Sequence, residues 1–327
     1  MIDPALIPAD VVRTVPDGKV VFGMQLPIQS QSTLYVADWE KQSGPAELAT
    51  IARAADDAGF FYIGVCDHTA IPRRLADAMG TIWYDTTATL SWLAAQTTRT
   101  HLLSHVLVLA QRHPLRAAKE LSTLDLLSGG RLIVGVGAGH VPEEYDLLVG
   151  DFADRGRHTD EAVSALALAF TTEFPDLPGP RFVASGLGVA PRPVRQPRPP
   201  IWIGGSSPAA IRRTAVLGDG WLPQGTRRRD LPGQIAQLRE LRQEHRGGAP
   251  IDIGTIVEPI HLSGHGAPWE LPGYVIAGGA DQVATSLREL IAMGVNHLQV
   301  RFMARSVEEF CEQTAAFGAE VGPLLNP

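Results

Sequence analysis

The chain has 327 residues, 45% hydrophobic and 19% charged, with 28 basic and 35 acidic side chains and a net charge of −7. That composition suits a soluble globular protein of one large or two medium domains, and an acidic balance without a basic block argues against nucleic acid or an anionic membrane as partner. Two distant cysteines, Cys66 and Cys311, show no metal-ligand spacing and point to a reduced, cytoplasmic protein without a metal, and no apolar run of about 18 residues is present to span a membrane.

Residues 1–19 carry three Pro and three Asp and no apolar stretch, so they read as an N-terminal extension rather than a secretory leader. Eight short apolar runs follow, at 20–26, 61–66, 102–109, 132–136, 201–203, 220–222, 251–257 and 297–302. Helical patterns lie between them. Over 45–58, Leu48, Ile51, Ala52 and Ala55 fall at helical spacing, with Pro45 at the start and Gly59 at the stop. The same device recurs at 114–127 before Gly129, at 208–217 before Gly218, and at 281–293 before Gly294. A further helix is predicted over 157–170, and Ser306 with Glu309 reads as a capping box for the last one.

Eight strands alternating with helices predict a single (β/α)8 TIM barrel over the whole chain, with insertions at its C-terminal face. A doubly wound sheet would want fewer strands and an early Gly-x-Gly-x-x-Gly, which is absent. Three connections are long, 27–44, 67–85 and 140–199. The first two follow strands and so belong at the catalytic face of a barrel. The third includes a Pro-rich stretch, 191–200, carrying Arg192, Arg195 and Arg198, and long loops on a rigid scaffold usually carry function. At the fifth strand the run Gly204-Gly205-Ser206-Ser207-Pro208 places glycines and hydroxyls at a helix N-terminus, a ready anion site.

Six segments in order resemble the bacterial luciferase-like superfamily, and most of all its actinobacterial branch that uses the deazaflavin coenzyme F420. They are 22–27 (Phe-Gly-Met-Gln-Leu-Pro), 58–68 ending in Cys66-Asp67-His68, 106–114 with Gln111-Arg112-His113-Pro114, 128–139 ending in Gly137-Ala138-Gly139, Glu143-Glu144-Tyr145, and 201–205 (Ile-Trp-Ile-Gly-Gly). The resemblance implies a barrel enzyme holding a deazaflavin, or alternatively FMN, at the C-terminal face, and a homodimer. It places His68 beside the cofactor, where an imidazole can donate a hydrogen bond or shuttle a proton. Small residues Gly137, Ala138 and Gly139 would let a flat ring lie close to the backbone. His140 stands where some deazaflavin relatives carry a carboxylate proton donor, which puts that role in doubt and makes His140 the candidate acid. The resemblance also implies a non-proline cis peptide in the third strand, which counting from Arg112 places at Ser104–His105, behind the ring.

Around these, Arg112 is a candidate for an anionic tail or a substrate carbonyl. Arg212 and Arg213, basic residues near a helix N-terminus, suggest an anion nearby. Trp39, Trp83 and Tyr84 would wall a substrate pocket, with Gln29, Gln31 and Thr69 as polar lining. Trp202 reads as barrel packing. The expected activity is hydride transfer between F420 and a small organic substrate. The alternatives are an FMN monooxygenase fed by a separate reductase, and an inactive flavin-binding relative. A metal-dependent barrel hydrolase is disfavoured for want of His and Asp pairs at ligand spacing.

Overall fold

A computed structural model describes residues 8, 10–30, 32, 36–148, 150–265 and 269–326. Eight parallel strands form the barrel: β1 Val21–Gln25, β2 Tyr62–Val65, β3 His101–Ser104, β4 Leu132–Gly137, β5 Ile201–Gly204, β6 Gly220–Leu222, β7 Asp252–Ile256 and β8 His297–Gln299. Each pairs with its neighbours in chain order, and β8 returns to β1 through Val21 opposite His297, so no edge is left open. The enclosing helices are α1 Pro45–Asp57, α2 Thr86–Ala94, α3 Pro114–Ser128, α4 Arg155–Thr171, α5 Pro208–Leu217, α6 Leu231–Arg246, α7 Ala280–Ala292 and α8 Val307–Ala316. The chain is thus a (β/α)8 TIM barrel.

The predicted helix starts at Pro45, Pro114 and Pro208 are the observed first residues. Gly129 caps α3 in the left-handed conformation, at φ 68°. At α8 the expected capping box is only half made. Ser306 accepts from the Glu309 amide at 3.2 Å, but the Glu309 carboxylate turns to the Arg305 amide and guanidinium instead.

The barrel interior is filled by aromatic rings facing glycines on the next strand. A Cβ at Gly23 would stand 2.5 Å from the Tyr62 ring, one at Gly220 2.4 Å from Trp202, and one at Gly254 2.0 Å from His297. Trp202 and His297 stack at 4.2 Å, and Tyr62 meets Trp202 edge-on at 5.7 Å. These glycines are therefore packing devices, since no other residue leaves room for the ring opposite.

The N-terminal extension closes the lower end of the barrel. Val15 is buried with Tyr62, Leu103, Ile133, Trp202 and Leu222. Its amide and that of Thr14 donate to Asp252, and Val12 donates to Asp219. Here the structure corrects the reading of residues 191–200. They run to the N-terminal end of β5, where Arg198 and Asp219 form a buried pair at 2.6 Å, each side chain 1% exposed. Arg198 is thus a structural residue remote from the catalytic face, because Asp219 and the Asp10 and Pro199 carbonyls absorb its donors.

Candidate active site

The C-terminal ends of β2, β3, β4 and β5 build one polar mouth. Strand β2 runs out through Cys66 and Asp67 to His68. The short helix Pro142–Leu148 after β4 carries Glu144 back over it. His68 Nδ1 lies 2.9 Å from Glu144 Oε2, while Glu144 Oε1 accepts from the Thr69 and Ala70 amides at 2.6 and 3.1 Å. The Trp83 ring meets the His68 ring edge-on at 4.5 Å, and His140 stands perpendicular to it at 5.3 Å. Burial pushes the Glu144 carboxyl up, but the His68 contact and the two amides outweigh it and hold the group below its ordinary range. Burial, and then the neighbouring His68 imidazole, lower the His140 imidazole against the pull of Glu144. His140 is therefore neutral near pH 7, which suits a proton acceptor better than the acid expected of it from the sequence.

The third strand departs from its predicted continuous run over 102–109. Ser104 still pairs with Val65, after which the ladder breaks and resumes at Leu107–Val108. The non-proline cis bond is His105–Val106, one residue beyond the expected Ser104–His105. The displacement has a packing reason. The Val106 side chain seats in a notch between β4 and β5 that exists because both facing residues lack a side chain. A Cβ at Gly137 would come within 2.5 Å of Val106 Cγ2, and one at Gly204 within 2.8 Å of Cγ1. The space above Gly137 and Gly204 therefore belongs to Val106. Gly139, at φ 71°, is tight against Val108 and Tyr145, and the Tyr145 hydroxyl donates to the Ala138 carbonyl at 2.6 Å. Ser104 is fully buried and donates to the Gly135 carbonyl, so its hydroxyl braces two strands. His105 does face the mouth, with Gln224 Nε2 3.4 Å from its Nε2. Burial lowers its imidazole to about 4, leaving it neutral and able to both donate and accept.

Several sequence-predicted contacts are already spent within the fold. Arg112 makes a bidentate pair with Asp67, both nitrogens at 2.8 Å, and Asp67 also holds the Val108 amide. That clamp ties the resumed third strand to the end of β2 and leaves Arg112 no fork for a substrate. Arg213 is buried on Asp160 and the Gly156 carbonyl, which accounts for a cation near the start of α5 without an anion. Ser207 caps α5 by accepting from Ala210, and Ser206 Oγ is shared among Gln224 and Thr226. Gly205 N–H is bonded to Leu222 O. What remains of the expected anion site is the pair of Ser206 and Ser207 amides, which have no acceptor among the described residues, at the N-terminus of a ten-residue helix. Gly205 itself requires φ 107°, a conformation closed to most side chains.

Among the aromatics, Trp83 reaches His68. Trp39 instead donates to the Ala304 carbonyl and packs on Phe310 at 5.8 Å, and Tyr84 packs against the core. Gln29 is fully buried, accepting from the Cys66 amide and donating to Leu26 O, so it anchors the loop rather than lining a pocket. Gln31 lies outside the described residues. Glu144, Asp67, Gln224 and Gln299 were not singled out from the sequence. The signals were Asp67 beside His68 at the end of β2 and Glu143-Glu144-Tyr145 close behind the β4 glycines, where Glu143 pairs outward with Arg74. Gln299, at the end of β8, has a buried Oε1 with no hydrogen-bond partner among the described residues, and its side chain lies beside His105, pulling that imidazole up against burial. A separate open cleft of about 400 Å3, lined in part by Arg13, Arg239 and Asn296, lies at the opposite, N-terminal end of the barrel. Asp151, Asp154 and His158 bring ligand atoms within 4.8 Å of one another, but Arg157 already pairs with Asp154.

Among curated proteins, the chain is 24% identical over 334 residues to an F420-dependent glucose-6-phosphate dehydrogenase of Kineococcus radiotolerans, covering 88% of this chain and 95% of that one. Its fold is that of an F420-dependent secondary alcohol dehydrogenase solved with an F420-acetone adduct, with a TM-score of 0.74, 15% identity, and 94% and 100% of the two chains covered. It is equally that of the oxygenating constituent of 3,6-diketocamphane monooxygenase from Pseudomonas putida, solved with FMN, with a TM-score of 0.73, 13% identity, and 93% and 98% covered. The family model described as Luciferase-like monooxygenase matches residues 21–270, from the first barrel strand past the seventh. The chain therefore belongs to the luciferase-like monooxygenase family.

Proposed function

We propose that this chain is an oxidoreductase that binds coenzyme F420 at the C-terminal mouth of its barrel and acts on a small organic substrate there. The observation that carries the reading is the cluster of His68, His140, Glu144 and Trp83 beside the interrupted third strand. Three features of the mouth fit a flat ring with an anionic tail. The half-buried Val106 side chain fills the notch over Gly137 and Gly204, the buried Gln299 Oε1 and neutral His105 offer polar partners, and the Ser206 and Ser207 amides, without an acceptor among the described residues, suit a phosphate. Relatives named for F420 favour it over FMN.

When bound, the coenzyme supplies the hydride-accepting or hydride-donating carbon, and the protein supplies orientation and protons. His105 and Gln299 would meet the ring's polar edge. The Ser206 and Ser207 amides would hold the tail. His68 would move the proton that accompanies hydride transfer, with neutral His140 as the second acceptor at the same mouth.

Titration of the pure protein with F420 and with FMN, read by fluorescence quenching, tests the coenzyme. Micromolar or tighter F420 binding with markedly weaker FMN binding supports the reading. Tight FMN binding with oxygen-dependent turnover overturns it in favour of a flavin monooxygenase. With F420 loaded, His68→Ala is expected to lower turnover about 10²-fold.

A further inference from the structure

We infer that Glu144 is a positioning residue that holds His68 in its Nδ1–H tautomer, so that Nε2 is the nitrogen left bare for the site. The argument starts with the carboxylate. Its side chain is 3% exposed and both oxygens are engaged. Oε1 is fixed by two consecutive amides, Thr69 at 2.6 Å and Ala70 at 3.1 Å, so the group cannot swing away. Oε2 sits 2.9 Å from His68 Nδ1. An ionised carboxylate only accepts, so the hydrogen on that line must come from Nδ1. Among the described residues no other carboxylate pairs with the ring, and neighbouring Asp67 is closed by Arg112, Val108 and Thr86. Trp83 and His140 flank the imidazole, and Nε2 has no partner among the described residues. A histidine anchored through one nitrogen presents the other in a set tautomer.

The same geometry defines a discriminating variant. In Glu144→Gln the amide oxygen must stay on the Thr69 and Ala70 amides, which only donate. The NH2 group then takes the place of Oε2 and points a hydrogen at Nδ1. The ring can answer only as an acceptor, so the tautomer reverses to Nε2–H while the size of the side chain is unchanged.

The inference rests on the proposed function only for why the tautomer matters. Its test needs no coenzyme. The ring nitrogens of 15N-histidine-labelled full-length protein are read by two-bond nitrogen–proton correlation at pH 8, with His68 assigned by its absence in His68→Gln. A protonated Nδ1 with bare Nε2 in the wild type, and the reverse in Glu144→Gln, is the expected result. An Nε2–H ring in the wild type, or an unchanged pattern in Glu144→Gln, overturns it. If Glu144→Gln does not fold, Glu144→Asp keeps a carboxylate and is expected to retain Nδ1–H; an Nε2–H ring there counts against the inference. Failure of F420 to bind would sink the coenzyme assignment and leave the tautomer result standing. With F420 bound, Glu144→Gln is expected to lower kcat by up to about 10²-fold, no more than His68→Ala, with KM little changed.

Discussion

Replacing Gly137 by Ala tests whether the notch for Val106 shapes the active face. The new Cβ would lie 2.5 Å from Val106 Cγ2 but 3.6 Å from Val106 Cβ. The first distance is far inside van der Waals contact and the second is ordinary contact, so the whole conflict comes from one methyl. Overpacking of this kind costs about 1–3 kcal/mol. At about 2.1 cal/mol/K per residue, unfolding this chain carries an entropy of about 0.7 kcal/mol/K, so Tm should fall by about 1–4 °C. Val106→Ala removes both Cγ atoms, so the double variant Gly137→Ala/Val106→Ala should be no less stable than Val106→Ala alone. The mutant cycle should then show a coupling of about 1–3 kcal/mol. Gly233→Ala is the control, because it lies in α6 with nothing within 4 Å of its Cβ, and it should stabilise by up to about 1 kcal/mol. Differential scanning calorimetry on the four variants and the parent decides the matter. A Gly137→Ala protein as stable as the parent, or one that Val106→Ala fails to rescue, would refute the reasoning.

Other outcomes follow from the same structure. Arg198→Met strands Asp219 in the closed end of the barrel and should cost about 3–5 kcal/mol in denaturant unfolding; a loss below about 1 kcal/mol would show the pair to be dispensable. Burial raises Asp252 from 3.8 to about 6 in the folded state. The folded protein thus binds more protons than the unfolded chain between these values, and stability falls as pH rises through that window. Asp252→Asn keeps an acceptor for the Thr14 and Val15 amides but cannot ionise, so its stability relative to the parent should rise by on the order of 1–2 kcal/mol between pH 4 and pH 7. A flat difference across that range contradicts the assignment. Gly205→Val forces a β-branched residue into φ 107° at the anion-binding turn, and should abolish F420 binding while circular dichroism stays barrel-like; unchanged affinity would remove Ser206 and Ser207 from the site.

The sequence by itself determined the eightfold alternation of strands and helices, the helix starts at Pro45, Pro114 and Pro208, and the position of His68 and His140 at strand ends. All of these rest on local constraints, namely hydrophobic period, fixed proline φ and glycine stops, which act within a few residues. Tertiary structure decided who partners whom. Glu144 reaches His68 across 76 positions and Arg112 reaches Asp67 across 45. No periodicity encodes such pairings, because they arise only when the barrel closes and brings the strand ends to one face. The same closure turned Arg112, Arg198 and Ser104 inward to satisfy polar groups of the fold, since an unmet donor or acceptor in the interior is costly, and local turn and cap bonds took up the two serine hydroxyls. It also gave the glycines their meaning. In sequence Gly137 and Gly204 look like room for a ligand, but in the barrel they are room for Val106, because only the neighbouring strand's side chain reveals what an absent Cβ makes space for.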